Sequence, residues 1–178
     1  MVTIVVGGAR SGKSSFAESI FQGENDVVYI ATTRPEDEEM EERVVHHRKN
    51  RPDTWRTFEG NYNIADAVGS EKHYILDCIT VLTSNIMFDM SCDVEIIDGL
   101  LQKEIEDKVL EAVKSLIDRI NASKLKLVMV TNEVGCSIVP ENHVARVYRD
   151  IAGRVNQRAA ELADEAYAVI CGIPVKLK

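Results

Sequence analysis

The stretch Gly7-Gly8-Ala9-Arg10-Ser11-Gly12-Lys13-Ser14 constrains this chain more than any other. It follows a short apolar run at residues 2–6 and precedes a segment at 14–21 that reads as a helix. Strand, glycine loop, helix is the setting in which G-x-x-x-x-G-K-[ST] forms a phosphate-binding loop. Glycines let the chain curl until successive backbone N–H groups point inward at an anion. The helix that follows aims the positive end of its dipole at the same place. Lys13 is then expected to reach the β and γ phosphates of a nucleoside triphosphate, and the Ser14 hydroxyl to ligate Mg²⁺.

The rest of the chain reads as further β and α segments in alternation. Residues 27–31 form a second apolar run ending at Ala31, and Thr32 and Thr33 follow it where α/β folds place ligand contacts or plain loop. A helix is expected over 36–50, acidic at its start and basic at its end. On it, His46 and His47 lie about 100° apart, so one can pack while the other faces a cleft, or both can sit in solvent. A strand over 54–58 ends next to Glu59, and 61–69 is a weak helix or loop. The strand at 73–77 ends in Asp77, which suits either a Mg²⁺-holding acid or a cap for the next helix. Helices are expected over 79–88, 94–120 and 140–164, and strands over 125–130 and 166–171, with a short antiparallel edge at 175–177. In the last helix, Val144, Tyr148, Ile151, Val155, Ala159 and Leu162 should face the core, while Arg146, Asp150, Arg154 and Arg158 form a row at spacing four, paired along the helix or facing an anion.

About seven strands separated mostly by helices give an α/β fold: a mostly parallel sheet with helices on both faces, in one domain spanning 1–178. The net charge of −8 argues against nucleic acid as the partner. No apolar run approaches the ~20 residues of a membrane span. There is no basic region followed by a long apolar stretch at the start, so a cytoplasmic location is expected. The cysteines at 78, 92, 136 and 171 are scattered, with no C-x-x-C pair, which fits free thiols.

Several motifs together resemble one family. They are Gly-Gly-Ala-Arg-Ser-Gly-Lys-Ser at 7–14, Tyr-Ile-Ala-Thr at 29–32, Glu-Arg-Val-Val-His-His-Arg at 42–48, Arg51-Pro52 with Trp55-Arg56-Thr57, and Asp77-Cys78-Ile79-Thr80 with Asn85. Thr-Asn-Glu-Val-Gly at 131–135, Ile-Val-Pro-Glu-Asn at 138–142 and Arg-Asp-Ile-Ala-Gly-Arg-Val-Asn-Gln at 149–157 extend the likeness along nearly the whole chain. In this order they resemble the bifunctional adenosylcobinamide kinase / adenosylcobinamide-phosphate guanylyltransferase family of cobalamin synthesis.

The resemblance implies a P-loop NTPase with a RecA-like sheet, assembled as a homotrimer. It implies phosphorylation of adenosylcobinamide by GTP or ATP, then transfer of GMP from GTP to adenosylcobinamide phosphate through a guanylylated histidine, with Mg²⁺ as cofactor. The family's histidine corresponds to His46. The resemblance also suggests nucleotide contacts at residues 7–14, Ala31, Thr32, Thr33, Arg48, Lys49, Asn50, Arg51, Glu59 and Asp77, and Lys13 as a catalytic residue. One departure is Ser137, where relatives carry a second glycine, and a serine there resists positive φ. A different small-metabolite kinase would need Lys13 and Asp77 but leave His46 idle. A nucleotide-gated binding protein would show triphosphate-dependent affinity and no turnover.

Overall fold

The computed structural model describes residues 1–34, 51–60 and 62–178. The helix expected over 36–50, with both histidines, lies outside these residues. Seven strands form one sheet: β1 (Val2–Gly7), β2 (Val27–Ala31), β3 (Arg56–Glu59), β4 (His73–Asp77), β5 (Lys126–Asn132), β6 (Glu165–Ile170) and β7 (Ile173–Lys176), in the order β3-β2-β4-β5-β1-β6-β7. Every pairing is parallel except β6 with β7. The expected mostly parallel sheet and its antiparallel edge are both present. Strand β1 sits inside the sheet between β5 and β6, so the loop that follows it leaves from a fixed strand end.

Side chains alternate across the strands, and each set meets different helices. Val2, Ile4, Val28, Ile30, Tyr74, Leu76, Leu127 and Met129 belong to the larger core. It is completed by α2 (Ile79–Ser91), α3 (Gly99–Ala122) and α4 (His143–Leu162). Val5, Val27, Tyr29, Ile75, Val128 and Val130 point the other way, onto Ala17 of α1 (Lys13–Ser19), Phe21 and Trp55. Helices therefore cover both faces, as expected. Burying a side chain of the size of Leu116 contributes roughly 1.5–3 kcal/mol, and the stripe Ile105, Val109, Val113, Leu116 and Ile120 on α3 is fully buried.

Several helix boundaries differ from the sequence reading, and three of the differences have a clear local reason. Helix α3 begins at Gly99 rather than 94, because the Asp98 carboxylate caps it by accepting from the Leu101 N–H at 2.9 Å. Helix α4 begins at His143 rather than 140, because Asn142 caps it at the Ala145 N–H (3.0 Å). Helix α2 continues past 88 to Ser91, whose hydroxyl bonds back to the Met87 carbonyl at 2.7 Å. On α4, Leu162 is exposed rather than packed, and Val147 and Ala152 are buried in the face instead. The row at spacing four is partly paired along the helix, as Asp150 with Arg149 shows, and partly turned to other elements. Arg154 reaches across to Glu106 on α3 at 2.7 Å, Arg146 bonds the carbonyls of Pro140 and Glu141, and Arg158 pairs with Glu161.

Residues 61–69, read as a weak helix or loop, contain one 3₁₀ turn at Ile64–Ala67. Arg56 on the edge strand β3 fastens this turn. Its guanidinium bonds the Ala67 carbonyl at 2.7 Å and both Glu71 oxygens, at 2.5 and 3.1 Å. The bond from Arg56 holds the Glu71 carboxyl below its ordinary value of 4.5. Because the folded value is the lower one, the pair stabilises the fold above that ordinary value. The contribution is lost as pH falls through the lowered one. In urea unfolding, Leu116→Ala is expected to cost about 2–5 kcal/mol. Glu71→Gln is expected to flatten the acid limb of the stability-against-pH curve below 4.5 while leaving its neutral slope unchanged.

Candidate nucleotide site

The loop between β1 and α1 is shaped by close backbone approach. A Cβ on Gly7 would lie 2.5 Å from Ser11 Oγ and 2.7 Å from the Val169 carbonyl oxygen, so only glycine fits there without displacing β6. Gly12 holds φ at +93° and Arg10 at +56°, and this is the left-handed curl that turns the loop inward. The Ser11 N–H closes the turn on Gly8 O at 3.3 Å, and Gly172 N–H braces it from outside on Ser11 O at 2.8 Å. Lys13 Nζ rests on Gly8 O at 3.3 Å, across the loop itself. Ser11 Oγ is buried and has no hydrogen-bond partner among the described residues. Unpartnered buried hydroxyls are costly, and an anion seated in the loop would satisfy this one.

Across the sheet, β5 separates β1 from β4, and the C-terminal end of β4 carries Asp77. Asp77 is not a helix cap. Cys78 occupies the position before α2, and the Asp77 carboxylate instead accepts from the Tyr29 hydroxyl. Burial pushes the Cys78 thiol up to about 11; Asp77 adds to that shift and Lys13 opposes it. Strands β1 and β4 both run parallel to β5, with Gly7 opposite Asn132 and Asp77 opposite Val130, so the loop and the strand-end acid leave the sheet at the same edge. Ala31, Glu59 and Asp77 lie in one register line across β3, β2 and β4.

Two of the expected contact residues have structural work in this fold. Thr32 is fully buried and ties β2 to the start of α2: its hydroxyl donates to Cys78 O at 3.0 Å and accepts from Cys78 N–H at 2.9 Å. Thr33 follows it, partly exposed. Arg51 turns inward, with its guanidinium carbon 3.2 Å from the Tyr29 ring centre and its Nε 3.5 Å from Glu18 on α1. His46, Arg48, Lys49 and Asn50 lie outside the described residues.

Sequence reasoning missed the partners. Glu18 and Tyr29 were not singled out, and neither was the network below the strand ends. There Asn132 donates to Thr80 Oγ1 at 2.7 Å, Thr131 to Asn156 at 2.6 Å, Asn156 to Asn132 O at 3.0 Å and Tyr148 to Thr80 O at 3.1 Å. Tyr29 carried a usable signal: it shares a strand face with Val27 and Ala31, and a buried tyrosine hydroxyl demands a partner. Asn156 carried none, because its partner lies on another element.

The segment after β5 is fastened beside the loop by Glu133 N–H on Gly7 O at 3.1 Å. Ser137 lies in this segment. Among the described residues the non-glycine positions with positive φ are Arg10, Lys124 and Cys171, so the serine meets no left-handed strain. A second group of possible ligands, Glu24, Asp26 and His73, lies at the opposite end of the strands. It is a structural tie: Asp26 pairs with His73 Nδ1 at 3.0 Å and with Lys72 at 4.0 Å.

The family model described as cobinamide kinase / cobinamide phosphate guanyltransferase matches residues 3–177. The chain is 41% identical over 182 residues to the bifunctional adenosylcobalamin biosynthesis protein CobU of Escherichia coli (strain K12), covering 100% of both. It is 42% identical over 185 residues to the protein of the same name from Salmonella typhimurium, again covering 100% of both. It is 33% identical over 183 residues to the bifunctional adenosylcobalamin biosynthesis protein CobP of Pseudomonas aeruginosa, covering 100% of this chain and 98% of that one. With a glycine loop and a strand-end acid at one edge of a parallel sheet and a match running from end to end, this chain belongs to the cobinamide kinase / cobinamide phosphate guanyltransferase family.

Proposed function

We propose that this chain performs both reactions joined in its family's description, phosphorylating adenosylcobinamide and then transferring GMP from GTP to the phosphorylated product. The observation that carries this is the presence of the phosphate loop and Asp77 at one edge of the parallel sheet, in a chain matched by that family over residues 3–177.

In the kinase step, the acceptor hydroxyl oxygen bonds to the γ-phosphorus, the bond from that phosphorus to the β-bridging oxygen breaks, and a nucleoside diphosphate leaves. GTP and ATP both present the same phosphate chain to the loop. In the guanylyl step, a ring nitrogen of His46 bonds to the α-phosphorus of GTP, the bond to the α–β bridging oxygen breaks, and pyrophosphate departs. A phosphate oxygen of adenosylcobinamide phosphate then displaces the histidine, giving adenosylcobinamide-GDP. The covalent intermediate divides one difficult transfer into two in-line displacements.

Lys13 and the loop N–H groups hold the phosphates and offset the charge that builds on the departing group. Their preorganisation comes from Gly7, Gly12 and the brace at Gly172. A carboxylate and a hydroxyl are the hard oxygen donors that Mg²⁺ favours, so Asp77 and Ser14 are the residues that would hold it. When bound, the ion supplies further positive charge against the triphosphate. Arg48, Lys49 and Asn50 add positive charge and donors near His46 in sequence, and Ala31, Thr33 and Glu59 end the strands beside Asp77.

A homotrimer in the cytoplasm is part of the same reading. Phe88, Val94, Ile96 and Leu100 at the α2–α3 junction are exposed, as are Ile170, Ile173, Val175 and Leu177 on the β6–β7 edge, and apolar surface of this extent suits subunit contact. Among the described residues, no helix is long and apolar enough to cross a membrane.

Incubation with Mg²⁺ and GTP alone should yield one GMP adduct per chain, acid-labile and absent in His46→Ala, as read by intact mass. A folded wild-type chain without the adduct would remove the guanylyl-transfer reading. Lys13→Ala should lower kcat/KM of both half-reactions by about 100-fold or more; unchanged kinase turnover would place that reaction elsewhere.

A further inference from the structure

Arg51 belongs to a basic segment expected to meet nucleotide, yet its side chain is one of the most enclosed cations among the described residues, with 9% exposure. The guanidinium carbon lies over Tyr29, 3.2 Å from the ring centre, where a cation is drawn to the negative face of the ring. Glu18 of α1 flanks it at 3.5 Å, and Arg51 Nε has no hydrogen-bond partner among the described residues. Tyr29 is 2% exposed, and its hydroxyl ends on the Asp77 carboxylate. Four residues from α1, β2, β4 and the segment before β3 thus form one contiguous, partly to fully enclosed chain ending on the proposed ion-holding acid.

We infer that Tyr29 and Arg51 are positioning residues that aim the Asp77 carboxylate. Asp77 has two oxygens, and the Tyr29 hydroxyl occupies one, Oδ2. Occupation of one oxygen fixes the rotation of the carboxyl group and leaves the other directed to a ligand. The cation over the ring draws electron density from the phenol and strengthens its O–H as a donor.

This inference rests on the proposed role of Asp77, and direct ion binding separates its failure from failure of that role. Mn²⁺ serves as the probe, titrated by electron paramagnetic resonance into the full-length protein saturated with a non-hydrolysable GTP analogue. Tyr29→Phe keeps the ring and its stack and removes only the donor, and thermal unfolding within a few degrees of wild type confirms that the core is intact. Loss of a hydrogen bond that orients a metal-holding carboxylate weakens metal binding by about 10–100-fold, and that is the change expected for Tyr29→Phe. Arg51→Leu should weaken Mn²⁺ less, by several-fold. Tyr29→Phe with wild-type Mn²⁺ affinity overturns the positioning of Asp77 by Tyr29. Arg51→Leu with wild-type Mn²⁺ affinity overturns the part given to Arg51. If Asp77→Asn leaves Mn²⁺ binding unchanged, the role of Asp77 fails instead.

Discussion

Absence of a single carbon atom governs the geometry of this protein. At Gly7 the backbone passes so near the Val169 carbonyl and the Ser11 side chain that no Cβ fits. That contact sets how tightly β1 turns over into α1, and with it the direction of the loop N–H groups. Strand β1 cannot shift to relieve the crowding, because β5 and β6 pair with it along both edges. The loop is therefore stiff by construction. A stiff array of donors pays its reorganisation during folding rather than at the moment of reaction, and this is what makes such arrays effective against developing charge.

The second half of the site is built differently. Asp77 is held by side chains, not by backbone crowding. Tyr29 binds it, Arg51 covers Tyr29, and Glu18 flanks Arg51. Burial raises the Glu18 carboxyl, Arg51 opposes this, and Asp77 reinforces it. Two acids and one cation share this buried space with a neutral phenol between them, so the charge balance of the cluster depends on Arg51 remaining in place. Thr32, linked to Cys78 in both directions, holds the β2 and β4 ends together beneath the cluster.

Most of the architecture could be read directly from the chain. The strands are short apolar runs, and the glycine loop announces its own surroundings, so the strand positions and the mostly parallel sheet follow from pattern alone. The helix starts at 99 and 143 were missed because hydrophobic periodicity runs straight through a cap: Ile97 is buried like its helical neighbours although Asp98 has not yet begun the helix. The loop half of the site was legible for the same reason that it is stiff, since its function requires particular residues at consecutive positions. The Asp77 half was legible only as a lone acid. Its partners come from positions 18, 29 and 51, and no local spacing connects them. Arg51 shows the limit most clearly: its basic neighbourhood suggests a surface for phosphate, while the fold turns it onto an aromatic ring.

The hairpin of β6 and β7 has a consequence for how the molecule comes into being. Its turn at Cys171-Gly172 presses on the phosphate loop: Gly172 N–H holds Ser11 O, and the Gly172 Cα would lie 3.2 Å from any Cβ at position 12. The glycine loop is thus buttressed by a turn that follows it in the chain by most of the sheet. During synthesis the glycine signature is made well before its brace, so the loop has only half of its mould until the β6–β7 hairpin has formed.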